Sequence, residues 1–252
     1  MSNANPLLTY LLHLADNALV LGHRNSEWTG HGPILEQDIA LSNIALDLVG
    51  QARNLYQYAA ETAADGSTED SLAYLRDTRE YRNCLLVEQA NGDWGNTVTR
   101  QFFFSAYQYY LYQSLLQSHD QQLAAIAEKS LKEVAYHLRW SSEWMIRLGD
   151  GTNESHLRMQ SAVDRLWTYT GELFCGADYE LALAINQIAI DPAALKQLYH
   201  NKITQVLTEA TLTIPANAWM QSGGKTGLHS EQLGYLLAEM QFLQRAYPDA
   251  SW

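Results

Sequence analysis

Charge is scarce in this chain: 17% of its 252 residues are Asp, Glu, Lys or Arg, against 47% apolar residues. Positive charge is scarcer still, with 16 Lys plus Arg facing 28 Asp plus Glu and a formal net charge of −12. That balance argues against duplex nucleic acid as a partner, because phosphates must be neutralised by Lys and Arg. It argues equally against adhesion to an anionic membrane. Cysteine is nearly absent. Cys84 and Cys175 stand far apart without C-x-x-C spacing, which fits two small apolar side chains in a reducing compartment better than a disulfide framework or a thiolate metal site. Apolar runs fall short of a membrane-spanning helix. The polar opening, Met1-Ser2-Asn3-Ala4-Asn5-Pro6, has no basic stretch leading into an apolar one, so a cytoplasmic location is expected. Low charge does not signal disorder here, because 11% aromatics and this length allow a sizeable core.

Proline is also scarce, at five residues. Each one falls where other signals place a helix start or a connection. Asp191-Pro192 reads as an N-cap followed by proline at the first helical position. Ser67 with Asp70 resembles a capping box before Leu72, Ala73 and Leu75. Gly149-Asp150-Gly151 ends one helix, and Thr152 or Asn153 caps the next. Between these markers apolar residues recur at three and four. Leu35, Ile39, Leu46 and Val49 trace one face of a segment running to about Ala60, and Leu123, Ile126, Ser130, Val134, His137 and Leu138 trace another. Helices are expected over 6–22, 35–63, 69–89, 95–118, 121–149, 154–172, 192–210 and 230–246. No alternating Val/Ile/Thr-rich run reads as a strand. The expected class is all-α, one domain over 1–252, with the long helices forming a four-helix bundle and the remaining helices outside it.

Long-helix bundles can hold dinuclear metal, with one Glu from each of two helices and a Glu-x-x-His pair from each of the other two. The second helix here offers Asn43, Asp47, Gly50 and Asn54 on one stripe, expected to face inward. Three residues after Asp47, where a histidine ligand would stand, is Gly50. The later helix offers Glu133, Tyr136 and His137; tyrosine stands three after the acid and histidine four after. The helix from Trp94 to His119 carries no Asp or Glu at all, so Gln108 is its nearest equivalent, and a neutral amide is a poor ligand for such a cation. These six positions, Asp47, Gly50, Gln108, Glu133, Tyr136 and His137, read as a degenerate metal site. No metal ligand, catalytic residue or cofactor is expected in this chain. Buried Asp47, Glu133 and His137 would then satisfy one another or pair with Arg53 or Arg139. A self-sufficient metallo-oxygenase using Asp47, Glu133 and His137 with further acids is the competing enzyme reading. An acidic scaffold for some other enzyme is the third.

Other motifs are weaker. Ser222-Gly223-Gly224-Lys225-Thr226-Gly227 would place the first phosphate-loop glycine at Trp219, with no preceding strand. A flexible loop ending at the cap of the last helix fits better, with phosphate contact by Lys225 left open. No G-x-S-x-G elbow occurs. His13, His23, His31, His119, His156, His200 and His229 show no ligand spacing. The aromatics Phe102, Phe103, Phe104, Tyr107, Tyr109, Tyr110 and Tyr112 spread around more than one face of one helix, which suggests a second surface belonging to an obligate partner.

Several longer stretches carry a resemblance. Asp16-Asn17-Ala18-Leu19-Val20-Leu21 continues through Glu27-Trp28-Thr29-Gly30-His31-Gly32-Pro33 to Asp47-Leu48-Val49-Gly50-Gln51-Ala52-Arg53-Asn54. With Leu86-Val87-Glu88-Gln89, Lys132-Glu133-Val134-Ala135-Tyr136-His137-Leu138-Arg139 and Gly223-Gly224-Lys225-Thr226-Gly227-Leu228-His229, they resemble the C subunits of bacterial ring-1,2-phenylacetyl-CoA epoxidases of phenylacetate catabolism. The likeness spans nearly the whole chain. It implies a ferritin-like fold and a metal-free structural subunit whose partner, the A subunit, carries the di-iron centre and binds the CoA thioester. A homodimer is expected when that partner is absent. No catalytic residue is carried over, because the family places none in this subunit.

Overall fold

The computed structural model describes residues 5–216, 218–248 and 250. Every regular element among them is helical, in line with the three-and-four spacing, and no helix is long and apolar enough to cross a membrane. Contacts gather the chain into two compact units, Met1–Ala90 with Gly223–Trp252, and Asn91–Ser222.

The first unit rests on α1 (Pro6–Ser26) and α2 (Leu35–Ala63), which pack along one another. α1 begins where Asn5 accepts the Leu7 N–H at 3.0 Å and Pro6 fills the first turn, a position where proline's missing donor costs nothing. Most of α1 is buried, including His13, Asp16 and Asn17. α2 has a narrower inner face of Leu41, Ile44, Leu48, Leu55 and Ala59. The residues whose spacing traces one face of this segment lie outside that inner face. Leu35 is 71% exposed, Ile39 52% and Leu46 69%. This helix is apolar on two sides, so its periodicity has two phases, and spacing alone does not say which one meets the core.

The helix predicted over 69–89 is broken into α3 (Glu69–Tyr74), a 3-10 turn at Thr78–Glu80, and α4 (Leu85–Glu88). The break comes from α1. Asp16 accepts the Arg82 N–H at 2.7 Å and Asn17 accepts the Cys84 N–H at 2.8 Å, so buried side chains take donors that a helix would use internally. α3 is capped by Thr68 with Ser71 reciprocating, one residue along from the expected Ser67–Asp70 pair.

In the second unit, α5 (Trp94–Leu115) and α6 (Gln121–Gly149) form the long pair, followed by α7 (Asn153–Trp167), α8 (Asp178–Ile185) and α9 (Lys196–Glu209). Asp93, Asp120 and Thr152 cap α5, α6 and α7 through their side chains. Gly149 lets α6 end against the chain after α9, since a Cβ there would sit 2.5 Å from the Ala210 carbonyl oxygen. The short α8 escapes the sequence reading because its N-cap, Ala177, has no capping side chain. Asp191-Pro192 does open a helical segment, first as a 3-10 turn through Leu195. Two final helices, α10 (Glu231–Met240) and α11 (Phe242–Ala246), belong to the first unit.

α5 corrects the aromatic argument. Residues 95–108 are buried without interruption. The Phe103 ring lies 5.6 Å from Trp167, Tyr107 lies 5.9 Å from Phe174, and Phe174 lies 4.9 Å from Tyr199. The second aromatic surface is therefore supplied by the chain's own segments, and only Tyr109 and Tyr110 remain half-buried. A helix enclosed on every side needs apolar residues all round; no partner is required to explain them.

Candidate functional site

α5 and α6 bring two of the expected positions, Gln108 and Glu133, to one phenol, that of Tyr112. Gln108 is buried and its Nε2 donates to the Tyr112 oxygen at 3.3 Å. Burial pushes the Tyr112 hydroxyl up to about 12, opposed by the Gln108 hydrogen bond and helped by the charge of Glu133. One turn on, His137 is fully buried, its ring 6.2 Å from Tyr136, and Arg139 lies over the Tyr136 ring at 5.6 Å. A neutral amide and a protonated phenol beside one half-buried carboxylate form a poor donor set for a hard or borderline cation.

Asp47 and Gly50 belong to the first unit, on α2. The expectation that their stripe faces inward is corrected: Asn43 and Gly50 are exposed, Asp47 and Asn54 half-buried. The inner face of α2 is centred on Ile44 and Leu48, and the stripe lies well away from it around the helix. A Cβ built on Gly50 would meet nothing within 4 Å, so no packing inside this chain requires glycine there. Asp47 and Glu133 are not deeply buried, which relaxes the demand for a charged partner. Arg53 approaches Glu69 at 3.6 Å. Among the described residues, no three His, Cys, Asp or Glu side chains assemble into a metal-ligating group.

The most organised polar site lies elsewhere, inside the first unit. Asp16 is fully buried and accepts the Tyr56 hydroxyl at 2.5 Å, both terminal nitrogens of Arg76, and the Arg82 N–H. Arg76 also lies over the Tyr81 ring at 4.3 Å. Burial works against its charge, but Asp16 and the two neighbouring phenols outweigh that and raise its pKa. Burial first, and then the Asp16 charge, hold the Tyr56 phenol well above its ordinary range. A second buried carboxylate, Glu88, accepts Asn83 Nδ2 at 2.8 Å, His229 Nδ1 at 2.8 Å, and both the N–H and the hydroxyl of Ser230 at 2.7 Å. Burial opposes a proton on His229, yet the hydrogen bond and charge of Glu88 prevail and its pKa is raised. Arg24 extends the network by donating to the Glu88 and Gln232 carbonyls at 3.0 Å.

Each carboxylate is saturated by donors of its own chain. Neither offers a free lone pair to a substrate, so the arrangement suits clamping of distant segments: residues 16, 56, 76, 88 and 229 are held together. The Gly223–His229 stretch is part of the clamp. Gly224 approaches so closely that a Cβ would lie 2.2 Å from the Asn83 carbonyl oxygen, and Gly227 takes a φ of +85°. Lys225 is buried with 3% of its surface exposed. The expected flexible loop is therefore a packed turn, and Lys225 is not displayed to a phosphate in solution. Sequence reading missed Asp16, Glu88 and His229 as a site because they are remote from one another in the chain. The signal available was that they lie in three of the stretches that carry the resemblance.

The phenylacetic acid catabolic protein family matches residues 1–252 of the chain. The sequence is also 49% identical over 248 residues to the C subunit of 1,2-phenylacetyl-CoA epoxidase from Escherichia coli (strain K12), a match covering 98% of this chain and all of that relative.

Proposed function

Since the chain belongs to the phenylacetic acid catabolic protein family, we propose that it is the non-catalytic structural subunit of a multicomponent phenylacetyl-CoA epoxidase. In this reading it scaffolds the di-iron catalytic subunit during aerobic phenylacetate catabolism, takes the ferritin-like form of that family, stays in the cytoplasm, and pairs with itself when its partner is absent. The observation that carries the reading is the 49% identity across 98% of the chain to a relative named as the C subunit of that epoxidase. The local chemistry supports it. Gly50 supplies no ligand, Gln108 is neutral and engaged with Tyr112, and the two saturated carboxylates of the first unit are committed to internal donors. Positioning of a metal centre to a fraction of an ångström depends on the rigidity of what packs around it, and a chain whose buried charges are internally paired can provide that rigidity without a cofactor.

The test is co-expression with the di-iron subunit of the same complex. The chain is expected to co-purify with it, to raise its soluble yield, and to be required for epoxidation of phenylacetyl-CoA. Purified alone from iron-supplemented cells, it is expected to carry no stoichiometric iron. Near-stoichiometric iron in the isolated chain would favour the self-sufficient oxygenase using Asp47, Glu133 and His137. Failure to alter the yield or activity of the di-iron subunit would remove the scaffolding role.

A further inference from the structure

The interruption between α3 and α4 leaves main-chain carbonyls outside any helical ladder, and the segment that takes them up arrives from the far end of the sequence. Gln241 Nε2 donates to the Arg76 carbonyl at 2.9 Å, Arg245 Nη2 to the Leu75 and Arg76 carbonyls at 3.2 Å each, and His229 Nε2 lies 3.0 Å from the Tyr81 carbonyl. Residues 223–246 therefore form a strap across the break, seated in the first unit by Leu233, Leu236 and Leu237. Its grip is thin. α10 has one buried apolar edge, and Tyr235 and Phe242 point away, 65% and 64% exposed. The Arg245–Asp77 pair is exposed at both ends, and pairs of that kind contribute little. The His229–Glu88 pair differs, with side chains 1% and 0% exposed.

His229 has an acceptor at each ring nitrogen. Nδ1 meets the Glu88 carboxylate at 2.8 Å and Nε2 the Tyr81 carbonyl, and neither partner has a hydrogen to give. Only the imidazolium, a donor at both nitrogens, satisfies the two together. A neutral ring turns a lone pair toward one acceptor or the other in the interior, where an unmade bond is costly. It escapes that cost by leaving for water. We propose that residues 223–246 are a proton-gated strap: protonated His229 latches it over the break, and loss of that one proton lets it lift away while α1 and α2 stay folded. Glu88 on α4 and Asp16 on α1 favour the proton and burial opposes it, with the pKa raised in sum. The other charged groups of the segments meeting here are Arg24 on α1, Arg76 and Arg82 in the connection, and Lys225 and Glu231 on the strap. His13 of α1 bonds the Arg82 carbonyl at 2.7 Å. The closed strap holds the His229 proton more tightly than an exposed ring does, whose pKa is about 6.5. The latch is thus complete below that value, weakens as pH climbs toward the closed-state pKa, and is lost above it. One proton released per opening makes opening about tenfold more favourable for each pH unit of that interval.

The experiment is hydrogen exchange of the full chain between pH 6 and 9, read by mass spectrometry and corrected for the intrinsic pH dependence of exchange, beside a nitrogen-15 NMR titration of the His229 ring. The ring is expected to carry protons on both nitrogens at pH 6 and to titrate with a midpoint above 6.5. Over the same interval, protection of peptides within 225–246 is expected to fall by up to about tenfold per pH unit, while peptides of α1 and α2 keep theirs. His229→Gln retains a donor for one of the two acceptors. Its strap is expected to be less protected than wild type at pH 6 and to show no such fall above 6.5, which also separates His229 from His13. The wild-type titration and exchange decide the matter by themselves if that variant fails to fold. A ring still doubly protonated at pH 9, or one with a midpoint at or below 6.5, would overturn the latch. A ring that titrates while protection of the strap stays level would overturn the gating. Protection lost equally from the strap, α1 and α2 would also overturn it, since the unit would then open as a whole. A His229→Gln strap with the wild-type pH dependence would assign the proton to another group and overturn the proposal.

Discussion

Replacing Asp16 by alanine tests whether the buried clamp holds the first unit together. The substitution removes the acceptor of four hydrogen bonds, from the Tyr56 hydroxyl, two Arg76 nitrogens and the Arg82 N–H. The Arg76 side chain, 10% exposed, would then keep its charge in an interior with no counter-charge. Breaking a buried pair from one side costs about 3–5 kcal/mol, because the abandoned charge has lost its water as well as its partner. For a chain of this size about 2 °C of melting temperature accompanies each kcal/mol, so the expected loss is roughly 6–10 °C. Urea unfolding followed by circular dichroism measures the free energy, and calorimetry measures the temperature. The companion variant Arg76→Met should cost about as much, since it strands Asp16. Asp16→Ala combined with Arg76→Met should cost less than the sum by about 2 kcal/mol or more, because no charge is then left unpaired. Strict additivity, or a loss below about 1 kcal/mol for Asp16→Ala, would refute the argument that these groups act as one buried unit.

Three other outcomes follow from the same structure. The pKa of His229 is raised by Glu88, so its stabilisation is complete below the unfolded value of about 6.5 and fades as pH climbs through the folded value; between pH 6.5 and 9 the urea midpoint of the wild type should fall more steeply than that of His229→Gln, and equal slopes would deny the ion pair. His23 is lowered by burial and Arg24, which acts below pH 6.5 in the opposite sense and leaves that window clear. Gln108→Glu would bury an acid near the charge of Glu133, destabilising by about 2 kcal/mol at neutral pH, with recovery on acidification because a raised carboxyl pKa favours the folded state at low pH; a pH-independent loss would point to packing instead. Gly224→Ala would drive a Cβ to 2.2 Å from the Asn83 carbonyl, costing about 2 kcal/mol, and limited proteolysis should show the segment after Gly223 cut sooner; unchanged protection would mean the close approach is relieved by a shift of backbone.

The helices were legible in the sequence because their caps and periodicity are local. Asn5-Pro6, Asp120 and Thr152 mark starts by chemistry within one turn, and α2 and α6 run over the predicted 35–63 and 121–149. What failed was non-local. The helix predicted over 69–89 is interrupted by hydrogen bonds from Asp16 and Asn17, more than sixty residues earlier. The clamp escaped for the same reason, since His229 and Glu88 are 141 residues apart. Composition also misled in one respect. An aromatic surplus on α5 suggested an external partner surface, while Trp167, Phe174 and Tyr199 meet it from within the chain. The absence of acids from α5 was fully legible, since it needs only the sequence of one helix.

The apolar residues of α5 and those on the outward side of α2 differ in what surrounds them. Aromatic residues on α5 cannot be held to await a partner when neighbouring helices already bury them; burial answers the question of why they are apolar. The aliphatic residues of α2 receive no such answer. Leu35 and Leu46 lie about 70% in solvent on a helix whose opposite side, Leu41, Ile44 and Leu48, already satisfies the fold. A helix needs one apolar face to pack in a globular unit. A second face adds nothing to that packing and raises the risk of non-specific association. With the buried charges of the first unit closed at Asp16 and Glu88, the aliphatic side chains on this face are exposed without any role in the packing of the unit.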